Sequence, residues 1–291
     1  LAAHQKHLLL VCLLKVRNGK SSFARETFSL TEDLQMSDIY SVQLSDGPGL
    51  PVVVSHALGL DHTMWLSWID SQKGQRPILA YDHRGQGRST LGLQPLDLEL
   101  LVDDAATLVK DWKRGPVVFV GLSQGGMVAQ GLATRHPSLV RGLVLAHTTA
   151  IYAPAAQAAW KDRIAIVEQR GIAAVIDLIS QRYLSEDFRA NNPQVTDALR
   201  AQILANDAKA YVANCQAVAN VNWLDDLKLI SCPTLVLAGA LDIGATPAMA
   251  EAIHREITGS RLEIFEHASH LSPLEQPEKF QRAVSNFLET L

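Results

Sequence analysis

Two kinds of apolar pattern alternate along this chain. Short apolar runs predict strands that are buried on both faces, and apolar residues recur at helical spacing over 99–112 and again from about 277 to 288. The predicted strands are a short alternating one at 39–44 and apolar runs at 51–55, 78–82, 117–120, 142–146, 233–239 and 261–265. Strands separated by helical stretches predict an α/β fold, with a mostly parallel sheet covered by helices on both faces. Functional side chains should then cluster at the carboxyl ends of the strands.

The pattern changes between 148 and 226, where helix follows helix, alanine is abundant and no strand pattern occurs. This stretch is long for a connection between a strand and a helix, so we expect an inserted helical cap over the site. The flanking stretches, 36–147 and 227–291, would form the core. Met36 begins a stretch typical of a natural start, so residues 1–35 are expected to be a leader or extension outside the fold.

Composition narrows the possible partners and compartments. The net charge of −4 gives no basic surface, so neither nucleic acid nor a membrane is expected as a partner, and the apolar run at 8–14 is too short to span a bilayer. Cys12, Cys215 and Cys232 form neither a disulfide framework nor a zinc pattern. Each is expected to be a small buried hydrophobic residue in a reducing compartment, the cytoplasm.

A Gly-x-Ser-x-Gly sequence follows one predicted strand directly and precedes a helical pattern. It runs from Gly121 to Gly125 with Ser123 at its centre. A sharp turn between a strand and a helix needs glycines beside its tip, and it exposes the serine hydroxyl above the sheet edge. The helix directs free N–H groups to the same place, where they would stabilise a developing oxyanion. This arrangement predicts acyl transfer with Ser123 as the nucleophile.

A nucleophilic serine needs a histidine to accept its proton and a carboxylate to orient that histidine. In this architecture the acid and then the histidine follow the serine in the chain. Asp242 leaves the end of a later strand and His270 comes just after the last one, so these two are the predicted partners. The weaker alternatives are Asp225 and Asp226 for the acid, and His267 or His254 for the base.

An oxyanion hole requires two backbone N–H donors. One should come from Gln124, directly after the nucleophile, and the other from the loop after an early strand, where Leu58 is the predicted donor. His56, in the same loop, is expected to make a hydrogen bond within it. The glycine-rich stretch 82–89 lacks both the P-loop ending and the dinucleotide spacing, so we expect a tight structural loop beside the site.

With these residues in place, the chain from Met36 onward resembles the α/β-hydrolase superfamily, and within it the 3-oxoadipate enol-lactonase group. The sequence departs from that group's pattern at Leu184, Ala210 and Gln124, all expected around the pocket. The motifs that carry the resemblance are Ser55-His-Ala-Leu-Gly59, Asp82-x-Arg-Gly-x-Gly-x-Ser89, Gly121-Leu-Ser-Gln-Gly-Gly126, Gly239-x-x-Asp242, His270-Leu-x-x-x-Glu275 and, in the cap, Trp160-Lys-Asp-Arg163, Arg182-Tyr183 and Ala210-Tyr211-x-x-x-Cys215.

The resemblance implies hydrolysis of a small lactone or ester through an acyl-enzyme, without a metal or an organic cofactor. Trp160 and Arg163 would contact the substrate, and Arg163 would bind a substrate carboxylate, unless it is an ordinary solvent-facing charge. A broad carboxylesterase or serine perhydrolase acting on neutral esters is the alternative within this fold. A non-catalytic ligand-binding receptor is a further one. The oligomeric state is left open.

Overall fold

Seven strands form one sheet in the part of the chain that the computed structural model describes, residues 39–291. The expected leader at 1–35 and Cys12 lie outside the described residues. The sheet order is β1-β3-β2-β4-β5-β6-β7, with β1 antiparallel to β3 and the other neighbours parallel. The strands are β1 (Ser41–Ser45), β2 (Val52–Ser55), β3 (Ile78–Tyr81), β4 (Val117–Leu122), β5 (Val140–Ala146), β6 (Thr234–Gly239) and β7 (Arg261–Phe265).

Burial explains the apolar runs. Every residue of β2, β3, β4 and β6 is buried, because helices cover both faces of the sheet. The core helices are α1 (Leu66–Ser71), α2 (Leu98–Trp112), α3 (Gln124–Arg135), α9 (Pro247–Glu256), α10 (Ser272–Glu275) and α11 (Pro277–Leu288). The predicted α/β architecture, a mostly parallel sheet with helices on both faces, is thereby confirmed.

Five further helices lie between β5 and β6, where no strand was predicted. The stretch leaves and rejoins the core at one place, because Ile151 forms an isolated bridge with Asn222 and the Trp223 N–H donates to the Ala150 carbonyl at 2.8 Å. We call this stretch the insertion. Its helices are α4 (Pro154–Arg170), α5 (Ile176–Tyr183), α6 (Glu186–Asn191), α7 (Pro193–Leu204) and α8 (Ala208–Ala219).

Two local features differ from the sequence-based expectations. The 3-10 turn His62–Trp65 and the helix α1 were not predicted, since both are too short to show a helical period, although they bury Trp65 and Trp68. Cys215 is fully buried as expected, but Cys232 is only partly buried. None of the helices in residues 39–291 is long and apolar enough to cross a membrane.

Candidate active site

Ser123 lies at the tip between β4 and α3, in a backbone conformation that few residues other than glycine adopt. Its φ is 57° and its ψ is −114°. The turn is tight because a Cβ on Gly121 would overlap the Gly125 carbonyl, and a Cβ on Gly125 would overlap the Ser55 carbonyl. The Ser123 N–H donates to the Ala146 carbonyl at 2.9 Å, and the Thr148 hydroxyl donates to the Ser123 carbonyl at 2.8 Å. The backbone hydrogen-bonding groups of the strained serine are therefore held on both sides, by the Ala146 backbone and by the Thr148 side chain.

Asp242 and His270 meet at the same edge of the sheet. Asp242 follows β6, His270 follows β7, and His270 Nδ1 lies 2.6 Å from Asp242 Oδ2. The other carboxylate oxygen accepts the backbone N–H groups of Gly244 and Ala245, at 2.8 and 2.9 Å. Both side chains are buried, with 3% of Asp242 and 6% of His270 exposed. The structure thus brings together an acid and a base in the geometry that orients a catalytic histidine.

The ionisation of Asp242 follows from its neighbours. Burial opposes the charged form, but His270 and a second histidine, His147, outweigh it and hold the pKa of Asp242 well below its ordinary value. Asp242 therefore stays a carboxylate at neutral pH and can accept the Nδ1 proton of His270.

His147 is the site residue that the sequence analysis missed. It follows β5 directly, has a φ of 47°, and places Nδ1 3.5 Å from Asp242 Oδ2. Its Nε2 is 2.7 Å from the Ser272 hydroxyl, and burial lowers its pKa, so the ring is neutral. The position of His147 directly after a predicted strand was the available indication, because residues there point to the carboxyl edge.

Ser123 approaches this pair without a hydrogen bond to it. Among the described residues, Ser123 Oγ makes no hydrogen bond with His270, and the His270 ring stacks on Tyr183 at 5.2 Å between centroids. The backbone nevertheless connects the serine to the pair. The Ser123 N–H bonds to the carbonyl of Ala146, the last residue of β5, and the next residue, His147, lies beside Asp242. Catalytic hydrogen bonds often tighten only when substrate is bound.

The two predicted oxyanion donors lie on neighbouring segments. The Gly125 N–H donates to the His56 carbonyl at 3.1 Å, which joins the start of α3 to the loop that contains Leu58. Within residues 39–291, the Leu58 and Gln124 N–H groups have no hydrogen-bond acceptor. Two free donors beside the strained serine match the requirement of an oxyanion hole.

The alternative residues lie elsewhere. His267 is exposed, Asp225 is exposed, Asp226 lies in the 3-10 turn before β6, and His254 Nδ1 is 2.8 Å from the Ser260 hydroxyl. His56 Nδ1 donates to the Ala57 carbonyl at 2.8 Å, a bond within the loop.

The stretch 82–89 folds as a tight turn around the carboxylate of Asp82. That carboxylate accepts the backbone N–H groups of His62 and Arg88, at 2.7 and 2.9 Å. Gly87 has a φ of 55°, and a Cβ there would overlap the carboxylate. These contacts give the stretch a structural role beside the site.

Arg163, on α4, is buried in the insertion with only 5% of its surface exposed. Its guanidinium lies 4.9 Å from the Trp160 ring centroid and donates to the Tyr211 hydroxyl. No carboxylate of the described residues pairs with it, and its buried Nε has no hydrogen-bond partner. Burial opposes the charge, but Tyr211 and its neighbours raise the pKa of Arg163, so the side chain stays cationic. A buried cation without an anionic partner is costly unless a ligand supplies one.

The cationic side chain lies near the acid-base pair. Tyr183 is close enough to Arg163 for the guanidinium charge to act on its hydroxyl, and the same Tyr183 ring stacks on His270. Burial raises the pKa of Tyr183, which keeps its phenol protonated as a hydrogen-bond donor. Tyr183 therefore connects the two side chains, through its stacking on His270 and through the charge of Arg163.

Within the described part of the chain, two clusters offer side chains of the types that bind metals: His147 with Asp242 and His270, and Asp61 with His62 and Asp82. In each cluster one ring nitrogen already bonds a carboxylate oxygen: His270 Nδ1 lies 2.6 Å from Asp242 Oδ2, and His62 Nδ1 lies 2.8 Å from Asp82 Oδ1.

Comparison with known proteins gives a consistent result. A family model described as the alpha/beta hydrolase family matches residues 52–283. The chain is 30% identical over 240 residues to 3-oxoadipate enol-lactonase 2 of Acinetobacter baylyi, covering 82% of this chain and 88% of that protein. The crystal structure of an enol-lactonase from Burkholderia xenovorans superposes with a TM-score of 0.81 at 28% identity, covering 87% of this chain and 98% of that one. A thermophilic esterase from Thermogutta terrifontis, solved with malate bound, gives a TM-score of 0.80 at 30% identity, covering 87% and 94%.

Proposed function

Because the chain belongs to the alpha/beta hydrolase family, whose members similar to it include lactonases and esterases, we propose that it is a serine hydrolase of small anionic lactones or esters. The substrate to test first is 3-oxoadipate enol-lactone, which the name of its Acinetobacter relative contains. The observation that carries the substrate class is the buried, unpaired guanidinium of Arg163 next to the acid-base pair.

The proposed reaction begins at Ser123. His270 Nε2 takes the hydroxyl proton while Ser123 Oγ attacks the substrate carbonyl carbon, and the Leu58 and Gln124 N–H groups stabilise the oxyanion. When the ring C–O bond breaks, His270 returns the proton to the leaving oxygen. In a lactone this oxygen stays attached to the acyl group. Water then attacks the acyl-enzyme and His270 takes a proton from it. The bond between the acyl carbon and Ser123 Oγ breaks as His270 returns that proton to Ser123 Oγ, and the free acid leaves. Asp242 holds His270 in the required tautomer throughout.

Arg163 supplies the proposed selectivity. Removing one partner of a buried charge pair typically costs about 3 to 5 kcal/mol, so a buried guanidinium without a carboxylate has much to gain from an anionic ligand. Its planar donors can bind a carboxylate bidentately. Trp160, with 8% of its surface exposed, would form a flat apolar wall beside that carboxylate. The malate bound to the Thermogutta esterase is an anion of comparable chemistry in a relative.

The insertion would then act as a cap, with residues 148–226 over the site and 36–147 and 227–291 as the core. Support comes from Arg163 and Tyr183, which the insertion contributes to the space around His270. A cap of this kind excludes water while the acyl-enzyme forms.

The test is steady-state hydrolysis of 3-oxoadipate enol-lactone beside p-nitrophenyl acetate, by the wild type and by Ser123→Ala. Efficient lactone turnover that disappears in Ser123→Ala supports both the nucleophile and the substrate. Ester cleavage that depends on Ser123, with weak lactone turnover, would keep the mechanism and move the substrate to neutral esters. Activity that survives in Ser123→Ala would overturn the serine mechanism. A single turnover with tightly retained product would indicate a receptor instead.

A further inference from the structure

Three buried side-chain amides meet between the loop after β3, the start of α3 and the insertion helix α8. They belong to Gln86, Gln124 and Asn214, of which 1%, 0% and 0% is exposed. Asn214 Oδ1 accepts from Gln124 Nε2 at 2.6 Å and from Gln86 Nε2 at 3.0 Å, and Gln86 Nε2 also donates to Gln124 Oε1 at 3.0 Å. We call these residues the amide cluster. Their bonds define one orientation for each amide group.

The amide cluster contacts the backbone on both sides of the predicted oxyanion hole. Gln86 Oε1 accepts the N–H of Gly59, which is part of the peptide group that follows Leu58. Gln124 is itself the second donor residue, and its side chain is fixed by Asn214. The cluster is too deeply buried to touch a substrate, so it can act only through the groups that it holds.

The insertion holds the same loop at two further points. Tyr183 donates its hydroxyl to the Leu58 carbonyl at 2.6 Å, and Asn206 Nδ2 donates to the Gly59 carbonyl at 2.9 Å. Asn214 in turn is anchored by its Nδ2, which donates to the Arg84 and Ala210 carbonyls at 2.8 and 3.0 Å. Side chains of the insertion therefore bond the carbonyls of Leu58 and Gly59, while the Leu58 N–H has no acceptor among the described residues.

We propose that Gln86, Gln124 and Asn214 are positioning residues that set the two oxyanion donors, so that the insertion completes the catalytic apparatus as well as covering it. This inference rests on the proposed function. An oxyanion donor typically contributes about 10²- to 10³-fold in rate, and its effect depends on a donor position accurate to a fraction of an ångström. Loosening the amide cluster should therefore slow the chemical step and leave ground-state binding nearly unchanged.

The experiment compares Asn214→Leu and Gln124→Met with the wild type. Asn220→Leu, the same change at the exposed end of α8, is the matched control. The readouts are kcat and KM for p-nitrophenyl acetate and inhibition by phenylboronic acid, whose tetrahedral serine adduct places an oxygen in the oxyanion hole. We expect kcat to fall about 10- to 100-fold, the boronic acid inhibition constant to rise in parallel, and KM to change less than about threefold. Asn220→Leu should match the wild type.

Circular dichroism shows whether each variant folds. If Asn214→Leu does not fold, Gln124→Met still tests the proposal, because that variant keeps the bond between Gln86 and Asn214. An unchanged kcat in a folded variant, or equal changes in KM and in boronic acid inhibition, would overturn the inference. Loss of activity in Ser123→Ala together with an unchanged kcat in both cluster variants would refute this inference alone. Activity that persists in Ser123→Ala would refute the proposed function first.

Discussion

The core edge and the insertion hold their functional groups by different means. At the core edge, the backbone positions the functional side chains. Ser123 lies in a strained turn between two glycines, and Asp242 is held by two backbone N–H groups. In the insertion, other side chains position the functional groups. Arg163 lies against two aromatic rings, and Asn214 bonds the side-chain amides of the amide cluster. A group that the backbone positions moves only if the course of the backbone changes. A group that neighbouring side chains position can be altered by a single substitution. The reaction should therefore be harder to alter than the choice of substrate.

The largest effect on kcat should come from a substitution at the core edge. Asp242→Asn should lower kcat for p-nitrophenyl acetate about 10⁴-fold, because the amide cannot stabilise the His270 tautomer with Nδ1 protonated. The fold should survive, since the asparagine oxygen can still accept from Gly244 and Ala245. Asp225→Asn is the matched control and should leave kcat unchanged. A loss of less than tenfold in Asp242→Asn, with a large loss in Asp225→Asn, would move the acid to the alternative position.

On the insertion side, Arg163→Met should raise KM for an anionic lactone about 10- to 100-fold, since hydrogen bonds to charged groups contribute about 1.5 to 3 kcal/mol. KM for p-nitrophenyl acetate should stay within about twofold. Because the change removes an unpaired buried charge, urea unfolding should show equal or greater stability. Arg170→Met, at the exposed end of the same helix, is the control. Equal rises of KM for both substrates would show that Arg163 does not bind the anion.

The two regions should also differ in their response to pH. Burial lowers the pKa of His56, His83 and His147, all in the core, and the insertion contains no histidine. The unfolded chain takes up these protons near pH 6.5 and the folded chain does not, so stability is full above pH 6.5 and falls on acidification. Each such proton contributes a slope of at most about 1.4 kcal/mol per pH unit. His83→Gln should flatten the acid loss in urea unfolding.

Alkali should act mainly through the insertion, where burial raises the pKa of three tyrosines, and less through Tyr81, the one core tyrosine with a raised pKa among residues 39–291. Burial raises the pKa of Tyr152 to about 12, and it also raises the pKa of Tyr183 and Tyr211. Since the unfolded chain releases these protons near pH 10 and the folded chain retains them, stability should fall as the pH rises above 10. Tyr152→Phe should reduce that fall and leave the acid side unchanged. If Tyr152→Phe also changed the stability below pH 6.5, the assignment of the acid and alkaline effects to different regions would be wrong.

The smallest effect measures the strain at the nucleophile. Ser123→Gly and Ser123→Ala should both be inactive, but the glycine variant should unfold with a free energy about 1 kcal/mol higher than the alanine variant. Glycine relieves a φ of 57° that alanine cannot, and part of this gain is offset by the flexibility of glycine in the unfolded chain. Equal stabilities in urea would show that the turn stores no strain.

The difference between groups positioned by the backbone and groups positioned by side chains also decides how much of the molecule could be predicted from its sequence. The positions of the strands, the turn around Ser123 and the pairing of Asp242 with His270 follow from local patterns, since these three residues each come shortly after a predicted strand. The amide cluster has no local pattern. Gln86, Gln124 and Asn214 lie far apart in the chain, and nothing in their neighbourhoods indicates that they meet. Of the three, the sequence indicates a role only for Gln124, as a backbone oxyanion donor, and its side chain stands out only as a departure from the resembled group.

The bridge between Ile151 and Asn222 brings the two ends of the insertion together, so the stretch between them could be exchanged between relatives at one pair of neighbouring joints. If the insertion sets the substrate class through Arg163 as proposed, a chimera joined at Ala150 and Trp223 would take on the specificity of the protein that donates the insertion. It would turn over efficiently only if the guest supplied an amide in place of Asn214, or if apolar residues replaced Gln86 and Gln124 in the host. Within such a lineage, positions 86, 124 and 214 should be exchanged as a set, and shuffled libraries that mix them should be enriched in folded but slow enzymes.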